Sequence, residues 1–234
     1  MKLKTVRQQM VDAGQSRKYI NENVARIKRL FKWAVSEELV PVDVHQSLAT
    51  LSGLRKGKCA AREMPPVLPV NDGIVTATLE YPPVVVADMV RFQRLVGCRP
   101  GEVRKIRPCE VDRSADVWAY RPASHKTEYT GRERVIFIGP KAQDVLLPYL
   151  VQHEPTACCF SPSESRARRR TKREVNSMQP IPFCSRSRPP QRSSEGDCYA
   201  RCSYNSAIRK ACKKGGIPHW APNRLRHSLA TEIR

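Results

Sequence analysis

Val96-Gly-Cys-Arg-Pro-Gly-Glu-Val103 packs a helix stop, a turn and a helix start into eight residues. Gly97 suits the left-handed backbone that ends a helix, and Pro100 suits the first position of the next one, where the N–H it lacks would have no partner. Glu102 then falls in the first helical turn, where a carboxylate meets the positive end of the helix dipole. Arg99 is displayed on the turn between the two helices. Just upstream, the apolar run Val84–Val96 is long enough for a buried helix, and Asn71 or Asp72 can cap a shorter one running toward Glu80.

Downstream the period changes from helix to strand. Val111-Asp-Arg, the alternating Val117-Trp-Ala-Tyr-Arg and the apolar Arg134-Val-Ile-Phe-Ile read as three short strands. Between the last two, His125-Lys126-Thr-Glu-Tyr-Thr-Gly-Arg reads as a hairpin tip. Gly139-Pro140 opens a helix through Val145, Leu146 and Leu150. Residues 161–197 are rich in Arg, Ser and Pro and predict a long solvated, disordered-looking excursion. Helix returns at Tyr204–Lys214, breaks at Gly215-Gly216, and resumes in Leu225-Arg-His-Ser-Leu-Ala-Thr231. Helices, a small antiparallel sheet and more helices make the fold class α+β, mostly α.

Upstream, apolar residues recur at Ile20, Val24, Ile27, Leu30, Phe31, Ala34 and Val35, the spacing of an amphipathic helix with Ser16 or Asn21 as cap. Its other face carries Arg26, Lys28, Arg29 and Lys32. The helix stops before Pro41, and a second runs from Val42 to Leu51. Residues 53–70, broken by Gly53, Gly57, Pro65, Pro66 and Pro69 and solvated by Arg55, Lys56, Lys58 and Arg62, predict a linker. The expected organisation is a helical segment 1–52, this linker, and a second domain over 71–234 that carries the basic insertion at 161–197.

Charge narrows the function. The 234 residues hold 42 Lys and Arg against 22 Asp and Glu, a net +20 with 40% hydrophobic residues. That is too apolar for a disordered polycation. No apolar run reaches the roughly 20 residues of a membrane span, and Met1-Lys-Leu-Lys-Thr-Val-Arg has no apolar signal core. A cytoplasmic protein with no membrane partner is expected. The excess charge is +7 over residues 1–64, +2 over 65–150 and +11 over 151–234. Two basic ends flanking a nearly neutral middle suit a polyanion that touches both, and double-stranded DNA is the expected partner. Arg26, Lys28, Arg29 and Lys32, together with Arg168, Arg169 and Arg170, are the candidate backbone contacts. The nine cysteines are expected to be free thiols. Cys198, Cys202, Cys212 and His219 are the only metal-like spacing, and Cys212 sits in an apolar helical position, so no metal or other cofactor is expected.

Taken in order, Gly97-Cys-Arg99-Pro-Gly-Glu102, Lys126 on its hairpin, and Asn223-Arg-Leu-Arg226-His227-Ser-Leu-Ala-Thr231 resemble the signature of the tyrosine recombinase (phage integrase) family. The resemblance spans most of the chain. It implies a partial core-binding, DNA-clamping segment at 1–52 and a catalytic domain from 71. It makes Arg99, Lys126 and Arg226 the catalytic phosphate-binding residues, with Glu102, Asn223 and His227 supporting them. Asn223 stands where the family has a histidine. In that family a tyrosine attacks the phosphate, and other protomers join on the DNA. All seven tyrosines here precede Arg226, so none matches that nucleophile, and the chain is expected to be C-terminally truncated relative to the family and localised to the nucleoid when DNA-bound.

Overall fold

The computed structural model describes residues 2–125, 128–176 and 198–232. It divides into two units, Met1–Pro66 and Val67–Arg234.

In the first unit, α1 (Lys2–Asp12), α2 (Arg17–Ser36) and α3 (Val42–Ala49) surround a small core of Leu3, Ile20, Val24, Leu51 and Ala61. The Ser16 hydroxyl accepts the Tyr19 N–H and so starts α2. The periodicity that predicts α2 begins at Ile20, and α1 ahead of it was not expected. Part of the expected linker also belongs to this unit. The Asn21 amide donates to the Leu54 carbonyl at 3.0 Å and accepts the Leu54 N–H at 2.8 Å, the Arg17 N–H donates to the Arg62 carbonyl, and the Arg17 guanidinium pairs with Glu63. Residues 54–63 therefore fold back along α2 rather than lying free in solvent, because Ala61 and Leu51 have apolar surface to bury there.

The second unit is built around α5 (Val84–Val96), whose Val85, Val86, Met89, Val90 and Phe92 are all buried. An apolar helix with so many sides covered must lie at the centre of its domain. Around it pack α4 (Asp72–Thr78), α6 (Pro100–Lys105), α7 (Pro140–Gln152), α8 (Pro162–Asn176), α9 (Arg201–Lys214) and α10 (Asn223–Glu232). The sheet is three short antiparallel strands in the order β1 (Val111–Asp112), β2 (Trp118–Tyr120), β3 (Ile136–Ile138), with Val111 opposite Tyr120 and Tyr120 opposite Ile136. The architecture is mostly helical α+β, as the sequence implies. Among the described residues no helix is long and apolar enough to cross a membrane.

Two expectations are corrected here. Residues 162–176 form helix α8 rather than a solvated excursion: Ser165 is buried, and Glu164 reaches both His153 and Arg168. Residues 177–197 lie outside the described residues. Cysteines are also not all free, since Cys158 and Cys198 form a disulfide with their Cα atoms 5.4 Å apart. The two cysteines lie 40 residues apart in sequence and meet only in the fold, which no local spacing reveals.

Candidate functional site

Helix α5 ends at Gly97, which adopts φ +66°, and the chain turns through Cys98 to Arg99, the N-cap of α6. The Arg99 N–H donates to Glu102 Oε2 at 2.7 Å, closing the helix start, and Arg99 Nη1 donates to Glu102 Oε1 at 2.9 Å. A second guanidinium reaches the same carboxylate. Arg134, two residues before β3, donates from Nε to Oε1 at 3.2 Å and from Nη2 to Oε2 at 3.4 Å. The Glu102 side chain is only 5% exposed. Burial alone would push its carboxyl up, but the Arg99 N–H and the guanidiniums of Arg134 and Arg99 outweigh that and hold it below the ordinary carboxylate value. Arg134 was not among the sequence candidates. Its partner is 32 residues away, across a strand pairing that single-residue motifs do not encode.

α10 is seated against this turn. The Gln93 amide donates to the Cys98 carbonyl at 3.2 Å and to the Pro222 carbonyl at 3.1 Å, and its oxygen accepts the Tyr204 hydroxyl at 2.9 Å. A Cβ on Gly97 would run into the Leu229 side chain, so the backbone of the turn touches α10 directly. From the other side, the Ser228 hydroxyl donates to the Val70 carbonyl at 2.9 Å and accepts the Val70 N–H at 3.0 Å. Arg226 lies on this helix, and its Nη1 is buried with no hydrogen-bond partner among the described residues. The buried Cys98 thiol is pushed up to about 12, first by burial and then by Glu102, while Arg134 and Arg226 both pull it down. Arg99, Arg134 and Glu102 thus meet at one turn, and α10, the helix that carries Arg226, packs against the same turn.

The other candidates distribute differently. Asn223 and His227 are exposed and contact each other, Nδ2 to Nε2, at 3.5 Å. Lys126 lies outside the described residues; after it the described chain resumes in a 3-10 turn, Glu128–Thr130, where Tyr129 is 88% exposed. A cleft of about 350 Å³ lined by His125, Arg132 and Arg134 runs beside this turn. In the first unit Arg26, Arg29 and Lys32 are exposed on α2, whereas Lys28 is taken up by the carbonyls of Ala49 and Leu51 at the end of α3. On α8, Arg168 pairs with Glu164 and stacks over the Tyr149 ring at 5.6 Å, while Arg169 and Arg170 are exposed. The metal-like quartet does not assemble. Cys198 is in the disulfide, Cys212 is buried with its sulfur 3.9 Å from the Thr78 hydroxyl, Cys202 and His219 are exposed, and no His, Cys, Asp and Glu cluster gathers among the described residues.

No family model and no curated protein matches the sequence. Solved structures do. The Tn1549 transposon integrase in complex with circular intermediate DNA superposes with a TM-score of 0.60 at 13% identity, covering 98% of this chain and 70% of that one. An arginine-to-lysine variant of the same integrase, on another circular intermediate, gives 0.62 at 13% identity over 99% and 71%. The likeness is one of fold.

Proposed function

We propose that this chain is a DNA-binding protein of the tyrosine-recombinase type, in which Arg99, Arg226 and Lys126 grip one phosphodiester of duplex DNA. The observation that carries the reading is the buried Nη1 of Arg226, without a hydrogen-bond partner among the described residues, on the helix packed against the turn where Arg99 and Arg134 share Glu102. A buried donor without a partner is costly, and a cationic surrounding favours an anion. Guanidinium forks match the two non-bridging oxygens of a phosphate. Glu102, ionised and fixed by α6, holds Arg99 in place while a third of the Arg99 side chain stays exposed. On attack at phosphorus, charge grows on those oxygens, and prepositioned guanidiniums stabilise it. Lys126, on the loop between β2 and β3, would give its proton to the leaving 5′ oxygen as the P–O bond breaks. Asn223 and His227, exposed on the first turns of α10, would donate hydrogen bonds to the same phosphate. Exposed Arg26, Arg29 and Lys32 on α2, with Arg169 and Arg170 on α8, would carry backbone contacts away from the scissile phosphate, the first three making Met1–Pro66 a clamp.

The nucleophile is a separate matter. The hydroxyls of Tyr120, Tyr149 and Tyr204 are engaged by the Glu102 carbonyl, Asp88 and Gln93, so these three are not free to attack phosphorus. That engagement favours a second reading, in which these 234 residues bind phosphate without cleaving. Binding to a duplex, followed by fluorescence anisotropy across salt concentrations, tests the pocket. Arg99→Ala and Arg226→Ala should each weaken binding and lower the salt slope by about one counterion; unchanged affinity and slope in both would sink the phosphate pocket. A nicked suicide duplex should trap no covalent adduct with this chain. If one forms, Tyr129→Phe asks whether the exposed loop tyrosine made it.

A further inference from the structure

A second cationic cleft, sharing no residue with the Arg99 turn, lies between α8, α9 and the turn joining α4 to α5. It encloses about 470 Å³, within the range of small-ligand sites. Its wall is one face of α9. Cys202, Ser206, Lys210 and Lys214 recur every fourth residue, so they stack along a single line. Arg169 joins from α8 and the Tyr81 ring from the opposite side, with Lys214 Nζ 5.8 Å from the ring centroid. Tyr81 is fixed there by close approach to the backbone of Gly215, where an added Cβ would collide with the ring. Among the described residues no Asp or Glu lines the cleft, and α9 contains no acidic residue at all. Lysines four apart on a helix repel each other unless an anion sits between them.

We propose that this cleft binds the phosphate group of a phosphate ester, with Lys210, Lys214 and Arg169 supplying charge and Ser206 a hydroxyl. It is distinct from the Arg99 turn, and Arg169 is the one residue it shares with the DNA contacts proposed above. The cleft meets α5 at Pro83, the N-terminal cap, whereas the Arg99 turn begins at Gly97. Thirteen helical residues separate them by about 20 Å. One phosphate cannot serve both, and the inference stands whether or not the recombinase reading holds. The phosphate could come from a free nucleotide or from a nucleic-acid backbone, and the same chemistry would hold either.

Cys202 gives a readout inside the cleft because its thiol is exposed and not in a disulfide. The full chain is treated with iodoacetamide at constant ionic strength, and alkylation is followed residue by residue by mass spectrometry. Separate samples contain inorganic phosphate, ATP or a 20-base-pair duplex, with chloride as control. At ten times its Kd the bound ligand should slow modification of Cys202 about tenfold, with Cys59 and Cys109 unaffected. The doubly substituted Lys210→Gln, Lys214→Gln chain, altered only at exposed positions, should need at least about tenfold more ligand for the same protection. Protection by phosphate or ATP supports the site with a free phosphate ester as its source. Protection by duplex alone, lost in the double variant, supports it with the DNA backbone as its source. Absence of protection from all three, or protection that survives the two substitutions, overturns it. Arg99→Ala and Arg226→Ala should leave protection by free phosphate intact, so failure of one site is readable apart from the other.

Discussion

Glu102 is the residue on which the candidate site turns, and its energetics are asymmetric. Its side chain is 5% exposed, while Arg99 and Arg134 are 33% and 27% exposed. Glu102→Ala lets both guanidiniums recover water, so the loss should be moderate, about 2 kcal/mol, with the helix start of α6 also weakened. Arg134→Ala leaves the buried carboxylate with Arg99 alone and should cost at least as much. Urea denaturation of both variants measures this. If Arg134→Ala were neutral while Glu102→Ala was not, the second guanidinium would be incidental. The same carboxylate sets an acid limb. Its folded pKa is depressed below the ordinary 4.5, so its contribution is complete above that value and is lost as pH falls through the depressed one. Stability of the native chain should therefore drop faster below pH 4.5 than that of Glu102→Gln. Parallel acid limbs would contradict the pairing.

At the scale of elements, the contact between α5 and α10 decides whether the two arginine-bearing segments meet. Gly97→Ala meets two obstacles: the left-handed backbone at φ +66°, and collision with Leu229. A loss of about 1–3 kcal/mol is expected. Leu229→Ala should relieve only the collision, so the double variant should recover part of the loss, and a thermal denaturation cycle would read that coupling. A cost identical with and without Leu229 would mean α10 does not pack here. The disulfide is a second element-scale constraint, since it closes a 40-residue loop containing α8. Chain-entropy arguments give about 4 kcal/mol for such a loop, so reduction should lower the urea midpoint of the native chain and leave Cys158→Ser unaffected. These two features also mark what the sequence could tell. Gly97, Pro100 and Glu102 spell a local stop and start, so the turn was legible, as were α2 and the three strands from their periods. α1 and α8 were not. Among the described residues α1 buries only Leu3 and α8 only Ser165, so neither carries a strong apolar stripe there. Arg134 and the Cys158–Cys198 pair depend on residues 32 and 40 positions apart meeting in space, which a linear reading cannot encode.

For the whole molecule, the governing quantity is how its charge is divided. The net +20 is concentrated in residues 1–64 and 151–234, with only +2 between. If Met1–Pro66 and Val67–Arg234 each touch phosphates of one duplex, tethering makes the second contact effectively intramolecular and binding tightens well beyond either alone. Affinity should then depend on duplex length, rising steeply until the DNA is long enough for both units. The salt slope should rise with it, because each added phosphate contact releases about 0.9 counterion. Replacing exposed Arg26, Arg29 and Lys32 together by Gln removes up to three contacts, lowering the slope on a long duplex by about 2–3. On a duplex too short to span both units and held by Val67–Arg234, the same substitutions should change little. Anisotropy titrations of the native and triply substituted chains on duplexes of about 10 and 30 base pairs separate the cases. A length-independent slope, or a triple variant indistinguishable from the native chain on the long duplex, would mean that the charge on α2 is only solvated and that DNA is held by the second unit alone.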